Sequence, residues 1–96
     1  MDQTGRKGFQ EVVEARIAEW QRNINNLGTR MAKAKEDQDL LVRMEDMKSR
    51  IPFLTDSLAK IVEVSDEEWP KLKADLDMTF EKLGWLQGYV MRRLGA

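Results

Sequence analysis

The chain reads as an all-α domain of antiparallel, coiled-coil-like helices, arranged as a three-helix bundle. A long kinked helix plus a shorter one, forming a hairpin that dimerises, is the alternative. Three observations predict this class. Apolar residues recur at spacings of three and four along nearly the whole chain, which lays them on one stripe of each helix. The stripe breaks register once, near residues 35–39, and meets a strong helix-start signal at residues 65–69. The three segments so defined are matched, at roughly 27, 25 and 28 residues, or about 40 Å each at 1.5 Å per residue.

Residues 1–7 are polar, include Gly5, and are expected to be disordered, as unanchored termini are. The single helical domain then covers 8–96, with helices at about 8–35, 40–63 and 66–94. The first helix carries Phe9, Val13, Ile17, Trp20, Ile24, Leu27, Met31 and Ala34 on its seam. Asn23, Asn25, Asn26 and Gly28 weaken its middle because Asn and Gly are poor helix formers. The seam stays in phase through them, so a bend rather than a stop is expected.

Continuing that frame would place Gln38, Glu45 and Lys48 on the seam; the apolar residues instead restart at Leu40. Two events give such a slip: a chain reversal, or a three-residue stammer in one continuous helix. The second seam is Leu40, Met44, Met47, Ile51, Leu54, Leu58 and Ile61. It survives on both sides of Pro52, which predicts one kinked helix rather than two.

Val64-Ser65-Asp66-Glu67-Glu68-Trp69 is the clearest punctuation. Ser65 and Glu68 have capping-box spacing, and Val64 and Trp69 sit where a hydrophobic staple would. Pro70 is compatible with a first turn, and Arg92 and Arg93 suit the negative end of the helix dipole. The third seam runs Trp69, Leu72, Leu76, Phe80, Leu83, Leu86, Val90 and Leu94.

Composition narrows the function classes. The chain has 96 residues, a formal charge of −1, and neither His nor Cys. No basic face for nucleic acid is expected at that charge. Disulfides and thiolate metal sites are excluded. The start lacks a signal-peptide pattern, no apolar run approaches a bilayer span, and a cytoplasmic location is expected. Charge is segregated, at +3 over residues 1–35, −6 over 36–68 and +2 over 69–96. An acidic middle flanked by basic segments favours packing the middle helix between, or beside, the others, with chance segregation on solvated faces the bland alternative.

The stretch from Ser65 to Leu76, Ser-Asp-Glu-Glu-Trp-Pro-Lys-Leu-Lys-Ala-Asp-Leu, is followed by Phe80-Glu81-Lys82-Leu83. With Glu19-Trp20 in the first helix, it resembles small bacterial coiled-coil proteins of the stress-response or apolipoprotein-like type. The resemblance spans residues 9–90 and is distinctive over 65–83. It implies a helical protein without an assigned molecular activity, and it supplies no catalytic residues. Pro52, Pro70 and residues 23–28 depart from the Ala/Lys/Glu-rich pattern of that group.

A search for chemistry returns little. A di-metal carboxylate bundle needs Glu-x-x-His pairs, so Glu11, Glu14 and the Asp66–Glu68 run read as solvated faces. Ser49, Ser57 and Ser65 have no recognisable base beside them, and no Gly-rich phosphate loop exists. No catalytic, cofactor-binding or metal-binding residue is expected, and no enzyme activity.

Five apolar residues fall off the seams: Met78, Trp85 and Tyr89 on the third helix, Val42 and Phe53 on the second. They are the expected interface, since exposed aromatics are favoured interface anchors. The bland alternative lays Trp85 and Tyr89 over their own helix beneath the stems of Lys82 and Arg92. Gly84 and Gly88 would admit a close-approaching helix. The expected role is a non-catalytic, self-associating structural or interaction protein, with a homo-oligomeric partner first and an unidentified protein partner second. The alternative role is an amphipathic protein on a lipid or membrane surface, which a Lys/Arg-rich polar face would favour.

Overall fold

The computed structural model describes residues 3–32 and 37–95, with side chains from Gly5 onward. Ala34, Lys35 and Glu36, at the expected end of the first seam, lie outside the described residues. Three helices account for nearly all of it: α1 (Gln3–Met31), α2 (Gln38–Glu63) and α3 (Trp69–Gly95). No strand occurs among the described residues. The molecule is a rod of 48 × 19 × 19 Å, close to the length of one helix. It is an all-α three-helix bundle.

Long-range contacts fix the directions. Gln10 near the start of α1 donates to the Leu58 carbonyl near the end of α2, at 2.6 Å. Tyr89 near the end of α3 donates to Asp39 at the start of α2. Each consecutive pair is therefore antiparallel, and α1 runs parallel to α3. The α2 backbone packs closely along both neighbours, whereas α1 and α3 approach each other much less. That is the order the charge segregation favoured, with the acidic segment central.

The seams close on each other. Leu40, Met47, Leu54, Ile61, Leu76, Leu83 and Leu86 are fully buried, joined by Val13, Ile17, Ile24, Leu27, Phe80 and Val90. Phe9, Trp20, Ile51, Leu58, Leu72 and Leu94 pack at the rim. Each fully buried aliphatic contributes about 1.5–3 kcal/mol relative to exposure. These side chains are what hold the rod together.

The register slip between the first two seams is a reversal: α2 begins anew at Gln38 and packs antiparallel on α1. Asp37 is the N-cap of α2, with φ −84° and ψ 95°, and its carboxylate accepts from the Leu40 amide at 3.2 Å. A capped start to α2, packed antiparallel on α1, excludes a continuous stammered helix. Ser65 does the same for α3. Its hydroxyl accepts from the Glu68 amide at 3.2 Å, and its carbonyl accepts from Trp69 at 3.0 Å. The regular helix then runs from Trp69, after a turn over 66–68.

Two local findings complete the picture. Pro52 lies inside one uninterrupted α2, on its exposed side. The Lys48 carbonyl, whose amide donor proline removes, lies on the same exposed stretch, where water can serve it. Within the segment 1–7, whose first two residues lie outside the described ones, helix begins at Gln3, and Arg6 is only 3% exposed. The reason is a set of acceptors from far along the chain, the carbonyls of Ile61 and Val64 and the carboxylate of Asp66. Arg6 also lies 5.3 Å over the Trp69 ring, itself edge-on to Phe9 at 5.4 Å. The first turn of α1 thus ties down the α2–α3 turn.

Candidate interaction face between α2 and α3

Helical spacing builds the face. On α2, Val42, Asp46, Ser49 and Phe53 follow one another by four, three and four residues, one stripe beside the buried seam. On α3, Met78, Lys82, Trp85 and Tyr89 repeat the same spacing. The antiparallel packing of α2 and α3 brings the two stripes together on the side away from the core.

Between them runs an open groove of about 980 Å³. Its apolar lining is Phe53, Met78 and Trp85; its charged lining is Asp46, Arg50, Asp75, Glu81 and Lys82, with Ser49 and Thr79 between. Exposure is large for such side chains, at 40% for Phe53, 66% for Met78 and 49% for Trp85. Val42, at 62%, continues the α2 stripe beyond the groove. Four of the five expected residues therefore present apolar surface on one face.

Tyr89 behaves differently. It is half-buried, stacks on Trp85 with centroids 5.8 Å apart, and donates its hydroxyl to Asp39. Lys82 lies 4.6 Å over the Trp85 ring, as the expected stem cover requires. The Arg92 Nε donates back to the Gly88 carbonyl at 3.2 Å. The second cation is Arg43, 4.9 Å over Tyr89 and 5.7 Å over Trp85. Trp85 is braced from two sides and still half open to water.

An ionic cluster holds one end of the face. Arg93 donates to Asp37 at 2.8 and 3.3 Å and stands 3.7 Å from Asp39; Arg43 stands 3.6 Å from Asp39. The hydrogen bond from Arg93 is the main cause holding the Asp37 carboxyl below its ordinary range, and Asp37 in turn raises Arg93. Sequence reasoning missed this cluster. The available signal was the alternation Asp39, Arg43, Asp46, Arg50 along α2, which closes i,i+4 pairs such as Arg50–Asp46 at 3.0 Å.

Neither a protein-family model, a curated protein nor a solved structure matches this chain. The face has to be read from its own chemistry. Among the described residues, no group of three or more carboxylates is placed to hold a metal, and no helix is long and apolar enough to cross a membrane. Gly84 and Gly88 lie on a neighbouring stripe of α3, and a Cβ at either would meet nothing. Packing within the chain does not require glycine there.

Proposed function

We propose that this chain is a non-catalytic helical interaction protein that assembles with copies of itself through the α2/α3 face. One observation carries the reading: Phe53, Met78 and Trp85 line a common groove and all three remain substantially exposed. A contiguous apolar patch rimmed by charge is the usual mark of an interface. Tryptophan and tyrosine are the side chains such interfaces use as anchors.

Charge selects the partner class. Asp46, Asp75 and Glu81 border the groove against Arg50 and Lys82, a mixed-sign rim that offers no basic patch to an anionic lipid surface or nucleic acid. It suits a protein surface of equally mixed sign, such as its own.

Sedimentation of the purified chain over a range of concentrations, with and without anionic vesicles, tests the reading. A mass that rises to at least a dimer by micromolar concentration, with no co-migration with vesicles, supports it. A monomer at every concentration overturns it. Vesicle binding by a monomer assigns the face to lipid instead.

A further inference from the structure

The four exposed apolar residues of the α2/α3 face, Val42, Phe53, Met78 and Trp85, are distributed symmetrically along it, and this bears on how a second copy sits. On α2, Val42 and Phe53 flank the Met47–Lys48 turn at equal distances in sequence. On α3, Met78 and Trp85 flank the Glu81–Lys82 turn in the same way. Those two midpoints lie side by side, since Asp46, Ser49 and Arg50 face Thr79, Glu81 and Lys82 across the groove. The ends agree, with Asp39 beside Tyr89 and Phe53 in the groove with Met78.

Resting on the self-association reading, we propose that the second copy docks about a two-fold axis lying across both helices at this midpoint. Each helix then meets its own counterpart running in the opposite direction. Such an interface is isologous, so residue i meets j and j meets i. Val42 comes against Phe53 of the other copy, and Met78 against its Trp85. Among the charges that line the groove, the same operation brings Glu81 level with the other copy's Lys82. A two-fold axis along the helices would instead lay each α3 over the other copy's α2, and would leave Val42 and Phe53 unmatched to each other.

The chain has no cysteine, so a single introduced one gives a unique spin-label site. Lys48→Cys lies at the axis level, and Lys60→Cys twelve residues along the same helix; both positions are exposed. For the proposed axis, the axial separation of symmetry-related labels grows by about 3 Å per residue from the midpoint, twice the helical rise. Pulsed electron–electron distance measurements should therefore give a short distance at Lys48→Cys and one longer by roughly 20–35 Å at Lys60→Cys. Equal distances at the two sites, in a chain that sediments as a dimer, overturn the proposed axis and leave self-association standing. A labelled and unlabelled chain that both sediment as monomers overturn the two together. A second test uses charge: Lys82→Glu should weaken the dimer several-fold, and Glu81→Lys added to it should restore the affinity. Failure of that restoration also counts against the axis.

Discussion

The guanidinium of Arg6 donates to the carbonyl of Val64, the residue that caps the C-terminus of α2. A cation from the first turn of α1 thereby meets the negative end of the α2 dipole. Its other amino group binds Asp66, and the Ile61 carbonyl lies at 3.5 Å. Removing the guanidinium strands acceptors at a partly buried helix end. Arg6→Ala should therefore destabilise the chain by about 2 kcal/mol, within the range for a buried charged hydrogen-bonding group. Asp66→Asn should cost at most about 0.5 kcal/mol, because that carboxylate is largely exposed. Chemical denaturation of both variants checks the contrast.

That contact also marks where the sequence stops being readable. The three seams, the Ser65 cap and the off-seam set Val42, Phe53, Met78 and Trp85 are local patterns, written at spacings of three and four. Arg6 has no such pattern; a single cation in a polar leading segment reads as solvated. Its acceptors are backbone carbonyls 55 and 58 residues away, and every residue offers a carbonyl. Tyr89 is similar. Its place on the α3 stripe was legible, but its bond to Asp39 across fifty residues depends on the relative height of two helices. The register slip at 35–39 was ambiguous because that stretch lacks Gly and Pro, and Asp37 is one acid among several there that could cap.

Asp37 makes stability depend on acid. Its carboxyl is held below the ordinary value of 3.8, chiefly by the hydrogen bond from Arg93. A depressed carboxylate contributes stability that is complete above its unfolded pKa and is lost as pH falls through the folded one. The melting temperature should therefore fall below about pH 4. Asp37→Asn, which can still cap α2, should show a shallower fall, and an unchanged acid profile would show that the Arg93 pair contributes nothing.

Pro52 should be replaceable with gain. It sits within α2 on its exposed side, where it removes one hydrogen bond and crowds the carbonyl of Lys48. Pro52→Ala should raise the denaturation midpoint, by a stability of about 1–3 kcal/mol. A destabilised variant would mean that the proline sets a bend the packing needs.

Gly84 offers a smaller gain. A Cβ there meets nothing, so Gly84→Ala should stabilise α3 by about 0.5–1 kcal/mol through helix propensity alone. Thermal denaturation at a fixed low concentration reads this without interference from assembly. A loss of stability would show that the position has a neighbour in the folded state.

Sedimentation equilibrium of wild-type chain and Trp85→Glu, each paired with far-ultraviolet circular dichroism, tests self-association through the α2/α3 face most directly. Trp85 is half exposed and outside the buried cluster, so glutamate there should leave helicity intact. The predicted result is a wild-type dimer at micromolar concentration and a monomeric, equally helical variant. A variant that assembles as strongly as wild type would contradict the assignment of the interface to this face, and a variant that loses its helicity would place Trp85 in the core.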